Sequence, residues 1–262
     1  MSRLENSTHQ GLDRAFELIS LLANTNVPMS IVEISRALGI TRTTTYSMVN
    51  SLVAQHCLER SPTTKKYTIG YRFFEIGSLY RYQFPFLNTA EKYINPMFEK
   101  WQVRINVSVI KPVATAVILL SKGSSLMPRM PHGQVLFAHA TSAGKMLLSQ
   151  QPDKVLDEWF AAVDFPQYTP NTISDKKKLR EELERIRERG YSTETEELSA
   201  RRACIAAPIR DMTRETIAAV SFASSLAFVD EHRQEMTDDV LSLANDISSE
   251  LGYNLLPGNG GR

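Results

Sequence analysis

The 262-residue chain is 42% hydrophobic and 23% charged, a composition that builds ordinary globular cores and excludes collagen-like, rod-like and extensively disordered chains. Its formal net charge of +1 excludes bulk attraction to a polyanion, so any nucleic-acid binding must come from local charge and shape. Two cysteines, Cys57 and Cys204, make no disulfide framework. Residues 1–6 lack the apolar core of a signal peptide. The longest apolar run, residues 113–120, is too short to span a bilayer, so a cytoplasmic address without membrane contact is expected.

The first segment predicts short helices. Leu12, Phe16, Ile19 and Leu22 fall on one helical face. A turn at residues 24–28 follows. Ser30-Ile31-Val32-Glu33 is a capping box, in which the serine caps the next helix and the glutamate reaches back to it. Ile31, Ile34 and Leu38 share a face, and Gly39 closes the helix. Thr41 opens another helix almost at once, with Val49, Leu52 and Val53 as its apolar members. Residues 58–60 and 67–69 read as two short strands joined by the polar loop 61–66. A mostly helical, aromatic-rich stretch from about 71 to 101 reads as a linker and dimer surface.

The second half mixes element types. Residues 107–110, 116–120, 205–209 and 217–222 are short, apolar and partly β-branched, and predict strands. Residues 141–150, 175–189 and 230–251 predict helices, the last with an apolar stripe of Met236, Val240, Leu243, Ile247 and Leu251. The charged helix at 175–189 buries Leu179, Leu183 and Ile186 and solvates the rest, with Glu181 and Arg185 spaced to pair. The tail after Gly252 carries glycine and proline and is expected to fray. The expected organisation is α+β: a DNA-binding domain at 8–70, a helical linker at 71–92, and a second domain with an antiparallel sheet at 93–254.

A glycine-capped helix, a tight turn and a helix opened by threonine form a helix-turn-helix pattern. The second helix begins Arg42-Thr43-Thr44-Thr45-Tyr46, almost all hydrogen-bonding groups; arginine bonds guanine, and hydroxyls serve bases or phosphates. From Ser30 to Arg72 there are six basic and two acidic residues, a local +4 on a near-neutral chain. Lys65 and Lys66 lie in the loop between the strands, placed to hold the DNA backbone. Each feature alone also fits a solvated helix end or turn; their ordered combination is specific.

Residues 31–46, with Ile34-Ser35-Arg36-Ala37-Leu38-Gly39-Ile40-Thr41-Arg42 at their centre, resemble the helix-turn-helix of the IclR family of regulators, and Tyr67-Thr68-Ile69-Gly70 resembles the end of its wing. His139-Ala140-Thr141-Ser142-Ala143-Gly144-Lys145 resembles the motif opening that family's effector-domain helix. Cys204-Ile205-Ala206-Ala207-Pro208-Ile209 resembles the strand beside its ligand pocket, and Glu197 the glutamate preceding it. The resemblance covers nearly the whole chain in order. It implies a winged helix-turn-helix, a helical linker, a GAF-like effector-binding domain, and homodimers or homotetramers on a palindromic double-stranded operator. Departures occur at Ser47, where arginine is common, at His56 and Arg201, where glycine is usual, at Ser224-Ser225 in place of Gly-Pro, and at Phe228 in place of a basic residue.

Read physically, Thr141 or Ser142 caps a helix whose small residues Ser142, Ala143 and Gly144 leave amide donors open to an anion. Cys204 and Ser221, on two strands, supply further walls, and Met127, Met130, Leu136, Met146 and Leu147 an apolar side. A small carboxylate-bearing effector is the expected ligand, with no cofactor and no catalytic residue. The competing reading is a small-molecule enzyme or a metal-dependent sensor. Gly144-Lys145 lacks the upstream glycine and following hydroxyl of a phosphate loop. Ser142-x-x-Lys145 lacks the companion motifs of serine acyl-enzymes. His132, His139, Cys204 and His232 follow no standard zinc spacing.

Overall fold

A computed structural model describes residues 9–253; the N-terminal segment assessed for a leader and the end of the glycine- and proline-bearing tail lie outside the described residues. The chain divides into two compact units between Phe84 and Pro85, within the segment expected as linker.

The first unit runs α1 (Gln10–Thr25), α2 (Ile31–Leu38), α3 (Arg42–Ala54), β1 (Leu58–Arg60), β2 (Tyr67–Ile69) and α4 (Arg72–Tyr80). Its core is Leu18, Leu22, Ile34, Val49, Leu58 and Tyr67, with Ile31, Leu38, Leu52 and Val53 packed against it. The stripe expected on α1 is corrected: Leu18 and Leu22 are buried, while Leu12 and Phe16 are 58% and 64% exposed. The helix carries two overlapping apolar stripes, and periodicity does not say which one meets the core. Strands β1 and β2 pair antiparallel, Leu58 opposite Ile69 and Arg60 opposite Tyr67. Met29 adds an antiparallel bridge to Tyr67, tying the helices to the wing. Gly70 sits so close to the chain before β1 that a Cβ would lie 2.2 Å from the His56 carbonyl oxygen, so no larger residue fits there.

The second unit runs α5 (Phe86–Trp101), β3 (Arg104–Lys111), β4 (Thr115–Lys122), β5 (Val135–Phe137), α6 (Ser142–Ser149), α7 (Asp153–Ala162), α8 (Lys176–Arg189), β6 (Ser192–Thr195), β7 (Arg202–Arg210), β8 (Thr216–Ser225), α9 (Leu226–Glu231) and α10 (Arg233–Glu250). The strands form one antiparallel sheet in the order β5-β4-β3-β8-β7-β6. The expected strands all form, each longer than its apolar kernel. Two more join them: β5, of three residues, and β6, whose Ser-Thr-Glu-Thr carries no apolar signal yet buries Ser192 and Glu194 alternately. The helix expected over 230–251 is two helices, because Ser225 caps α9 by accepting from the Phe228 amide before α10 begins.

Side-chain alternation gives the sheet two faces. Ile105, Val107, Val220, Phe222, Ile205 and Ala207 lie on one, packed against α5 and α10. In α10 the expected Met236, Val240, Leu243 and Ile247 are buried; Leu251 is half-buried, just past the helix end. The other face is covered by α6, over which α8 packs through Leu179, Leu183 and Ile186. Helices therefore pack on both faces of the sheet, and Asn106, Ser108, Ser121 and Ser221 in its middle are buried polar residues.

Arg201 and His56, two of the positions where the family resemblance leads one to expect glycine, have φ of +60° and +57°. A left-handed backbone costs a residue with a Cβ about 1–2 kcal/mol. Arg201 is the cleaner test, because its backbone N–H donates to Glu196 and its carbonyl accepts from Leu226, contacts that glycine retains. Arg201→Gly is expected to stabilise the second unit by about 0.5–1 kcal/mol, after glycine's greater unfolded-state freedom is subtracted. Urea denaturation checks this.

Candidate nucleic-acid interface and small-molecule site

The helix-turn-helix is built by local hydrogen bonds. Ser30 Oγ accepts from the Glu33 amide at 3.3 Å, and Glu33 accepts from the Ser30 amide at 2.6 Å, completing the capping box. Gly39 takes φ +64°, and Ser35 Oγ donates across the turn to the Ile40 carbonyl at 2.6 Å. Thr41 then caps α3, its Oγ1 accepting from the Thr44 amide at 3.2 Å. Helical geometry divides the residues that follow. Arg42, Thr43, Tyr46, Ser47 and Asn50 are exposed along one side, while Thr45 and Val49 are fully buried on the other.

Two expectations are corrected. Thr45 is not presented to solvent: its hydroxyl donates to the Thr41 carbonyl at 2.9 Å and its methyl enters the core. Thr44 is half-buried, its hydroxyl 2.9 Å from that of Thr41. Ser47 and Asn50 share the exposed side, and the spacing of 43, 46, 47 and 50 signals this in the sequence. In the wing, Lys65 is exposed at the turn with φ +58°. Lys66 does not extend freely; its ammonium meets Glu33 at 3.1 Å and ties wing to α2.

On the second unit, strand register assembles a polar patch on the face beneath α6. One row across the sheet reads Ser121, Asn106, Ser221, Ala206 and Ser192. The next row reads Arg104, Ala223, Cys204 and Glu194. Ser192 Oγ donates to the Ser142 carbonyl at 2.6 Å, so the first turn of α6 lies over the Ser221 row. Met130 closes the far end, its amide donating to Ser121 Oγ at 2.8 Å, which in turn donates to Asn106 Oδ1 at 2.6 Å. The Met130 amide thus stands at the β4 end of the Ser221 row and the Ser142 carbonyl at its β6 end, with Cys204 in the next row. Ser142 and Ser221 are 2% and 4% exposed, and among the described residues the hydroxyl of neither makes a hydrogen bond to protein.

The cap of α6 is Thr141, whose Oγ1 accepts from the Gly144 amide at 3.0 Å. Gly144 therefore donates inward, and a Cβ there would lie 2.3 Å from the Ala138 carbonyl oxygen. Its role is close packing, which corrects its expected place among ligand-facing groups. The open amides of the first turn are those of Ser142 and Ala143. Met146 and Leu147 belong to the core rather than to a ligand wall.

Lys145, 1% exposed, forms an ion pair with Glu197. Burial pushes the Glu197 carboxyl above its ordinary value, and the ammonium pulls it part of the way back. Glu194 is also raised by burial, against the pull of the Leu198 and Glu197 amides that it accepts. The Cys204 thiol is pushed up by burial first and by Glu194 next, so it stands as a neutral wall rather than a thiolate nucleophile.

The fold and these two sites can be set beside known proteins. The family model described as the IclR helix-turn-helix domain matches residues 11–62, and that described as bacterial transcriptional regulator IclR C-terminal matches residues 84–249. The chain belongs to the IclR family. It is a DNA-binding transcriptional regulator with a C-terminal effector domain. One similar relative is the uncharacterized HTH-type transcriptional regulator RhmR of Escherichia coli, 28% identical over 95% of this chain and 96% of that protein. The crystal structure of Thermotoga maritima IclR superposes with a TM-score of 0.76 at 26% identity, over 92% of this chain and 98% of that one. An IclR homolog of Microbacterium hydrocarbonoxydans complexed with 4-hydroxybenzoate shares the fold, with a TM-score of 0.77 at 20% identity over 92% and 99% of the two chains.

Within this IclR frame the histidines considered for a metal are dispersed. His139 is buried against Phe165 at 4.8 Å and bonds the Pro166 carbonyl at 2.9 Å through Nε2; burial lowers its pKa. His232 packs on Phe228 and Trp101, on the α10 side. Among the described residues no three His, Cys, Asp or Glu side chains are grouped as metal ligands, and no helix is long and apolar enough to cross a membrane.

The capping box makes the winged unit acid-sensitive. Glu33 is lowered to about 2, chiefly by the Ser30 amide, then by the Ser30 hydroxyl and Lys66. A depressed folded-state pKa contributes stability above the ordinary value of 4.5, and that contribution is lost as pH falls towards about 2. Thermal melting of wild type and Glu33→Gln should differ most near neutrality and converge between about pH 4.5 and 2. A difference independent of pH would contradict this assignment.

Proposed function

We propose that α3 enters the major groove with Arg42, Thr43 and Tyr46 towards the bases, flanked by Ser47 and Asn50. The observation that carries this reading is the segregation on α3: an uninterrupted hydrogen-bonding side faces solvent while Thr45 and Val49 anchor the other. Amides at the start of α3 and the Lys65 ammonium hold phosphate. Two copies occupy a palindromic operator. The apolar side chains that α1 and α4 leave exposed, Leu12, Phe16, Phe74 at 81% and Leu79 at 61%, supply a surface for the second copy.

The effector is a small acid. Its carboxylate sits against the amides of Ser142 and Ala143, with Ser142 and Ser221 hydroxyls beside it and Cys204 and the Met130 segment as walls. Two nearly buried serines whose hydroxyls have no hydrogen-bond partner among the described residues support a polar occupant. The aromatic acid bound by the Microbacterium homolog is of the same chemical kind. The effector acts by binding one arrangement of the protein better than another, for a coupling of about 1–3 kcal/mol between the two sites.

Selection of bound sequences from a random DNA pool supplies the operator. On it, Arg42→Ala should weaken binding by about 1–3 kcal/mol and relax one base position, while Lys65→Ala should weaken all DNA alike and lower the salt slope by about one. Fluorescence anisotropy against cognate and scrambled duplexes separates these outcomes. Equal loss on both duplexes for Arg42→Ala would make it a phosphate contact and move base reading elsewhere on α3.

A further inference from the structure

Arg104 occupies the β3 place in the row Arg104, Ala223, Cys204, Glu194. It shares the α6-facing side with Asn106 and Ser221. Its Nε is buried and, among the described residues, has no hydrogen-bond partner. Burial is the first cause that lowers its pKa. The acid of the row does not neutralise it by contact. Glu194 accepts from the amides of Glu197 and Leu198 and stands opposite Cys204, and among the described residues no ion pair joins it to Arg104. A second arginine, Arg202, lies one step along β7 on the same face, paired with Ser225, and its charge also acts on Arg104. Arg202 forms no ion pair among the described residues either.

Two neighbouring half-buried arginines on one sheet face, one with a buried donor left open, form an unusual arrangement. A guanidinium presents a rigid fork of donors that fits a carboxylate in two parallel bonds. The residue between Arg104 and Cys204 in the row is the small Ala223. The Arg104 row is two residues along β3 from the Asn106 row, whose β6 member Ser192 meets the Ser142 carbonyl; the two rows are about 7 Å apart along the strands.

We propose that the effector site has a second anionic pole, formed by Arg104 with Arg202 behind it, and that its ligand is a short dianionic acid. One carboxylate meets the Ser142 and Ala143 amides; the other meets Arg104. Asn106 and the two serine hydroxyls contact the chain between them. This rests on the effector site proposed above and names its ligand class.

The test is calorimetric titration of the full-length protein with succinate, glutarate and adipate, and with the matched monocarboxylates butyrate, valerate and caproate. The expected result is a preference of at least tenfold for one dicarboxylate over its monocarboxylate. Arg104→Gln should abolish that preference while leaving monocarboxylate affinity within about twofold, and Arg104→Lys should retain part of it. Monocarboxylates binding as tightly as dicarboxylates, or a preference that survives Arg104→Gln, overturns the second pole and leaves the first site standing. No binding by any of the six acids overturns both. Circular dichroism of each variant distinguishes a lost pole from a lost fold; should Arg104→Gln not fold, Ala223→Leu, which fills the space beside Arg104, must remove the same preference.

Discussion

Everything on the effector side of this protein depends on one buried charge. Lys145 is among the largest wholly buried side chains of the described chain, and an ammonium removed from water is tolerated only with a partner. Glu197 is that partner. The pair joins the middle of α6 to the loop after β6, and that loop in turn gives the Glu197 and Leu198 amides to Glu194. Glu194 in turn stands opposite Cys204 across the β6–β7 pair. One electrostatic obligation thus sets the height of α6 over the sheet, with Gly144 against Ala138 allowing the close approach at its first turn. On the sheet face beneath, Asn106, Ser221 and Arg104 alternate with the apolar Ala206 and Ala219 that α6 packs against.

The DNA-reading unit solves a different problem by local means. A two-residue turn, Gly39 in the left-handed region and Ile40 tied by Ser35, delivers Thr41 as a cap. Thr45 and Val49 dock α3 while its opposite side stays in water. Rigidity here comes from caps and a small core, which suits a helix that must meet DNA already formed. Lys66 belongs to that rigidity through Glu33, while Lys65 is exposed at the turn of the wing.

Much of this was legible in the residues. The turn chemistry of Gly39 and Thr41 acts over a few bonds, so the helix-turn-helix and the wing strands follow from sequence. Long-range partners do not. Leu12 and Leu18 lie on equally plausible stripes of α1, and only tertiary packing chooses Leu18. Ser192–Thr195 has no apolar alternation, yet becomes a strand because β7 offers it an edge. The polar residues Arg104, Asn106 and Ser108 alternate with Ile105, Val107 and Val109, which reads as a strand with one wet face. The sheet is packed by helices on both sides, so Asn106 and Ser108 are buried rather than wet, a distinction that sequence periodicity does not carry. Lys145, inside a motif of small residues, likewise gives no sign of its partner more than fifty positions away.

The most direct measurement of this account is a double-mutant cycle on the buried pair, using Lys145→Met, Glu197→Leu and both together in denaturant unfolding. Each single change should cost about 3–5 kcal/mol, and the double variant should recover most of that loss. Single variants within about 0.5 kcal/mol of wild type, with additive effects, would contradict the claim that this pair holds α6 over the effector face.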